Sequence, residues 1–141
     1  MDRPTDSTPR RPPRKKRDGV LRGLYALRHS YDGFVATLHN ESAFRQELVA
    51  AVVLIPCAVL VPLGAVERVM LVASVLLVLL VELINSSIEA AIDRISLERH
   101  ELSGRAKDCG SAAVTVAVLI CAITWIALCG PLAVRWIRTL L

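Results

Sequence analysis

Long apolar runs alternate with dense polar stretches along this chain. Residues 48–66 carry no charge and no strongly polar group, and at about 1.5 Å per helical residue they match the ~30 Å hydrocarbon layer of a bilayer. Residues 69–81 are again apolar, with Ser74 as the exception, and the helical pattern continues to residue 93. A third apolar run covers residues 109–129. Before the first run, from residue 19 to residue 47, Leu21, Leu24, Tyr25, Arg28, Tyr31 and Val35 recur at steps of three and four. That segment is long enough to lie along a membrane interface but too polar to cross it. The pattern predicts a surface helix over 19–47, with a possible break at Gly33 or at His39-Asn40, followed by spans at about 48–66, 69–93 and 109–129. Pro56 and Pro62 are expected to bend the first span, and Gly130-Pro131 to end or kink the third. Ser103-Gly104 reads as a turn, with Ser103 or Ser111 as a cap for the third span.

Residues 1–18 hold four prolines and a basic cluster, and offer no apolar surface to bury, which predicts a disordered N-terminal tail. The remainder, 19–141, reads as one membrane domain. Of the 17 Lys and Arg residues, ten precede residue 46 and four lie between Arg94 and Lys107, against three elsewhere. This asymmetry places the N-terminus and the 94–107 connection on the cytoplasmic side. It also assigns the net charge of +4 to membrane topology, so no nucleic-acid partner is expected. The scattered cysteines Cys57, Cys109, Cys121 and Cys129 have no metal-ligand spacing and read as small hydrophobic residues.

The second span breaks the apolar rule. Val69 to Val81 advances about 20 Å, so Glu82 sits inside a ~30 Å hydrocarbon layer, while Glu89 lies about 10 Å further on, near water. At about 100° per residue, Glu82, Asn85, Ser86, Glu89 and Asp93 share one helix face. Ionisable groups at such depth are costly and point to function. Three helices look too few to cover this face within one chain, so a homo-oligomer is expected, with the 82–93 face meeting another subunit or the N-terminal helix. If the chain acts on a lipid headgroup with a water-soluble co-substrate, Glu82 lies at the depth for a general base. Glu89, with Glu41 if the surface helix folds back, lies where Mg²⁺ could be held together with nucleotide phosphates. Arg99, Arg105 and Lys107 offer positive charge for those phosphates. Neither a Walker-type phosphate loop nor the protein-kinase motif set is present, so a nucleotide would have to be bound by side chains.

Three segments carry a family resemblance. They are Asn40-Glu41-Ser42-Ala43-Phe44-Arg45-Gln46-Glu47, then Val81-Glu82-Leu83-Ile84-Asn85-Ser86-Ser87-Ile88-Glu89-Ala90-Ala91-Ile92-Asp93-Arg94, then His100-Glu101-Leu102-Ser103-Gly104-Arg105-Ala106-Lys107-Asp108. From roughly Gly19 to Cys129 the chain resembles the small integral-membrane diacylglycerol kinases of bacteria. The resemblance implies an all-α membrane protein, a homotrimer of subunits with an amphipathic surface helix and three transmembrane helices, in the inner membrane. It implies ATP-dependent phosphorylation of a lipid hydroxyl, most simply 1,2-diacylglycerol to phosphatidic acid, with Mg²⁺ as cofactor. By residue match, Glu82 is implied as the catalytic base, and Glu41 and Glu89 as metal-binding carboxylates. Arg22, His29, Glu98, Arg99, His100, Lys107 and Asp108, with Glu41 and Glu89, are implied on the nucleotide side. Ser30, Ala43, Phe44, Arg45, Gln46, Glu47, Asn85 and Ser111, with Glu82, are implied around the lipid. The chain departs from the usual pattern in its Pro/Arg tail, its longer C-terminus, Arg99 at a position often aromatic, and a surface helix without tryptophan.

Two rivals stay open at this level. Related small membrane kinases act on undecaprenol, and the face from Glu82 to Glu89 is expected in both. A proton or cation relay through Glu82 and Glu89 is disfavoured, because the first span supplies no polar residue to continue a path.

Overall fold

The computed structural model describes residues 19–95, 98 and 100–140. The expected disordered tail, residues 1–18, and Arg99 lie outside the described residues. Four helices follow in order: α1 Val20–Asn40, α2 Ser42–Leu60, α3 Ala65–Ile95 and α4 Glu101–Leu140. The chain divides into two units, Met1–Gly33 and Phe34–Leu141. In the first unit Gly19 adopts φ +85°, a left-handed conformation open to glycine, and its carbonyl accepts the Arg22 amide at 3.0 Å as the helix starts. Ser30 Oγ returns a hydrogen bond to the Ala26 carbonyl at 3.0 Å.

In the second unit α3 is the central element, with α2 and α4 packed against it. All three are long and apolar enough to cross a membrane. At about 1.5 Å per residue, the 31 residues of α3 reach about 46 Å, so its end extends beyond a ~30 Å hydrocarbon layer. The buried positions join Phe44, Ala51 and Ala58 of α2 to Leu71, Val75 and Val78 of α3 and Ala117 of α4. Buried with them are four polar residues of α3: Ser74, Glu82, Asn85 and Ser86. The large apolar side chains Val52, Val53, Leu80, Ile84, Leu119 and Ile123 are exposed. In lipid this distribution is stable, because association there rests on close packing of small residues and on interhelical polar contacts rather than on hiding apolar surface.

The joints differ from the expected boundaries for local reasons. Residues 42–47, expected in the surface helix, are the first turns of α2, because the chain breaks at Glu41 (φ −105°, ψ 117°). Arg45 secures that corner by donating from Nη1 to the carbonyls of Leu38 (3.2 Å) and His39 (3.0 Å), which end α1 without helical partners. Phe44 then stacks edge-on against Phe34, with ring centroids 5.1 Å apart. At the other end α2 stops at Leu60, short of the expected Val66. Pro62 lies in the turn that follows, and Arg68 donates to the carbonyls of Leu63 (2.8 Å) and Val59 (3.3 Å).

Ser103 and Gly104 form no turn, and neither Ser103 nor Ser111 caps a helix, because all three lie inside α4. That helix starts earlier, where His100 Nδ1 accepts the Leu102 amide at 3.2 Å and the His100 carbonyl accepts the Gly104 amide at 3.0 Å. Gly130-Pro131 does not end the helix, which continues to Leu140. Membrane helices tolerate an internal proline where neighbouring groups re-satisfy the backbone.

Candidate active site

The polar face of α3 turns inward between α2 and α4. Glu82 is only 3% exposed within a single chain. This corrects the expectation that three helices cannot cover it. The cover comes from the two helices packed on α3, and on the α4 side Gly110 is buried against Asn85, one turn from Glu82. Ser74 marks the same contact deeper in the bundle, with Oγ 3.6 Å from Cys121 Sγ.

Around Glu82 the fold gathers like charges. Glu41 and Glu89 lie within electrostatic reach of its carboxylate, as does Glu47 from α2. Glu41 occupies the N-cap position of α2 without a side-chain capping bond, which leaves its carboxylate unengaged with the helix it precedes. Asn85 links the group: its Nδ2 donates to Glu89 Oε1 at 3.1 Å, and its amide also reaches Glu82 one turn earlier. Three buried polar atoms in this region have no hydrogen-bond partner, namely Glu47 Oε2, Asn85 Oδ1 and Ser86 Oγ. Unmade bonds of this kind cost about 1–3 kcal/mol each.

The positive side of the site is Lys107 on α4. Its Nζ bonds Asp93 Oδ1 at 2.6 Å, and it lies within reach of the charges of Glu89 and Glu41. Both partners of the ion pair are partly exposed, with side-chain exposures of 37% and 49%. Such pairs contribute little to stability, so Lys107 can exchange Asp93 for a stronger anion at small cost. Asp93→Asn is accordingly expected to change the unfolding free energy by less than about 1 kcal/mol, as measured by denaturant titration in detergent.

The remaining expected residues divide by place. Arg22, His29 and Ser30 belong to the first unit. Glu98 lies in the α3–α4 connection, and His100 heads α4. Asp108 and Ser111 are exposed on α4, and Ala43 and Gln46 are exposed on α2. Phe44 is fully buried, so its side chain acts in packing, and Arg45 is engaged with the end of α1. Reading the sequence missed Gly110, whose signal was only a glycine inside an apolar helix. It also missed Phe34 as the partner of Phe44.

A second feature adjoins the carboxylates. A groove of about 480 Å³ runs between α2 and α4 over α3, lined among others by Ala51, Leu54, Val78, Cys121 and Trp125, with Gln46 and Glu47 at its polar end. Glu82, with Glu41, Glu47 and Glu89 around it, Lys107 beside them and the adjoining apolar groove make up the candidate site.

Residues 28–129 match the family model described as prokaryotic diacylglycerol kinase. The chain belongs to this family. It is 50% identical over 107 residues to the diacylglycerol kinase of Escherichia coli (strain K12), covering 76% of this chain and 88% of that protein. Against the diacylglycerol kinase of Pseudomonas aeruginosa it is 50% identical over 113 residues, 80% of this chain and 92% of the relative. Against that of Haemophilus influenzae the identity is 43% over 110 residues, 78% and 93% respectively. The matched region contains α2 and α3 whole and every carboxylate of the cluster around Glu82. Family membership and three apolar helices together make this a membrane protein.

Proposed function

We propose that this protein transfers the γ-phosphoryl group of ATP to the hydroxyl of 1,2-diacylglycerol, yielding phosphatidic acid and ADP. The observation that carries the reading is the buried Glu82, surrounded by the carboxylates of Glu41, Glu47 and Glu89 in a kinase-family chain. Glu82 accepts the hydroxyl proton as the lipid oxygen forms its bond to the γ-phosphorus and the bond to the ADP oxygen breaks. Asn85 holds the base and Glu89 in register through its amide. Phosphoryl transfer asks mainly for positioning and neutralisation of charge, and these side chains are suited to both.

The residues present fit a divalent ion that arrives with the nucleotide. Among the described residues no three His, Cys, Asp or Glu side chains are grouped so as to hold a metal by themselves. Glu41 and Glu89 supply two hard oxygen donors, which matches the habit of Mg²⁺ of taking one or two carboxylates and completing its shell with phosphate and water. When bound, Mg²⁺ neutralises the charge of the transferring phosphates. Lys107 adds a cation beside them, with Arg22, His29, Glu98, Arg99, His100 and Asp108 assigned to the rest of the nucleotide. Gln46, Glu47 and the apolar groove are assigned to the lipid, together with Ser30, Ala43, Arg45, Asn85 and Ser111, while the buried Phe44 contributes packing alone.

The subunits are assigned to a homotrimer in the inner membrane, with the N-terminus cytoplasmic and α1 lying along the surface. Supporting the assembly is a stripe on the outer side of α3, where Ala73, Leu76, Leu80, Ile84 and Ser87 are exposed at the three- and four-residue spacing of a helix–helix seam. The orientation rests on the basic residues at the N-terminus and in the 94–107 connection.

Transfer of labelled phosphate from ATP to a panel of lipid alcohols tests the function. Diacylglycerol is expected to be the preferred acceptor, with labelled phosphatidic acid as product. Faster labelling of undecaprenol would reassign the substrate while keeping the chemistry.

A further inference from the structure

Gly110 stands where α4 comes nearest to Asn85. It is buried inside α4, and a Cβ built on it would overlap Asn85 Oδ1 and stand 3.3 Å from Asn85 Cγ, while the Asn85 Cα would be 3.9 Å away, an ordinary contact. The conflict therefore falls on the end of one side chain and not on the backbone of α3. A side chain at position 110 would turn the Asn85 amide and leave the helices at their present separation. Gly104 and Gly130 in the same helix have nothing within 4 Å of such a Cβ, so close approach is particular to Gly110.

The Asn85 amide bridges two carboxylates of the cluster. It donates to Glu89 Oε1 at 3.1 Å and reaches Glu82, and its Oδ1 faces the Gly110 side without a hydrogen-bond partner. Turning that amide breaks the link between the deep carboxylate and the one nearer water. We propose that Gly110 is a positioning residue for phosphoryl transfer: by lacking a side chain it sets the rotamer of Asn85, and through Asn85 the mutual orientation of Glu82 and Glu89. This inference rests on the reading of Glu82 as base and Glu89 as metal ligand.

A double-mutant cycle in the full-length protein tests it, using Gly110→Ala, Asn85→Ala and the two combined, with kcat, KM for MgATP and the Mg²⁺ midpoint measured for each. Gly130→Ala serves as the control for replacing a glycine within α4, since alanine is the better helix former. Gly110→Ala is expected to lower kcat at least about tenfold, the scale seen when groups orienting metal ligands are altered, with KM for MgATP changed much less. The combined variant is expected to be no worse than Asn85→Ala, because the Cβ then has no amide to displace. If Gly110→Ala alone fails to assemble, assembly restored in the Asn85→Ala background supports the same coupling. The proposal is overturned by any of three results: kcat within twofold of the parent, an equal loss in both backgrounds, or misassembly that Asn85→Ala does not relieve. Full activity of Glu82→Gln would instead refute the assignment of the base, whatever the cycle shows, so the two failures are distinguishable.

Discussion

Glu82→Gln is expected to reduce phosphoryl transfer by roughly 10²- to 10⁴-fold, the usual contribution of a positioned general base. Glutamine keeps the shape of the side chain and its ability to meet the Asn85 amide, but it cannot accept the hydroxyl proton. The helices should survive the change. Glu82 is only 3% exposed and lies among other carboxylates, so a neutral group of the same size relieves both desolvation and like-charge repulsion. Stability in detergent should therefore be equal or higher. Nucleotide binding, followed by fluorescence of an ATP analogue, should be nearly unchanged. Turnover within tenfold of the parent would remove Glu82 from the role of base.

Glu89→Gln is expected to act on the metal. Its Oε1 accepts from Asn85 Nδ2, and a glutamine carbonyl can accept the same bond, so the substitution removes a charge while leaving the local geometry available. The Mg²⁺ concentration for half-maximal activity should rise at least about tenfold, with partial recovery of rate at saturating Mg²⁺. A Mg²⁺ titration in mixed micelles at fixed ATP measures this directly. An unchanged midpoint would move the metal to other ligands. The pair of variants also separates two depths of the site: loss at Glu82 should resist added Mg²⁺, whereas loss at Glu89 should respond to it.

The three apolar helices were legible because hydrocarbon imposes a one-dimensional rule. A run of about twenty uncharged residues has few alternatives to crossing the layer as a helix. The inward face of α3 was legible for the same reason: a period of 3.6 places Glu82, Asn85, Ser86 and Glu89 together, and the structure buries the first three. Helix ends were less legible because they depend on long side chains reaching across a joint. Arg45 ends α1 and His100 begins α4 by bonds that no propensity encodes, and the turn expected at Ser103-Gly104 was absorbed into a helix capped upstream.

By itself the sequence determined the helical class, three runs long and apolar enough to cross a membrane, the shared helix face of Glu82 and Glu89 and the kinase family, since each follows from spacing along one chain or from matched motifs. Only the tertiary structure decided what covers Glu82. It also revealed that Lys107 pairs with Asp93, that Phe44 belongs to the packing, and that Gly110 leaves room for Asn85. Those outcomes depend on which small residue of one helix falls opposite which polar residue of another. Such register is fixed by packing of neighbouring helices in three dimensions, where a single missing Cβ sets how much room the side chain opposite it has.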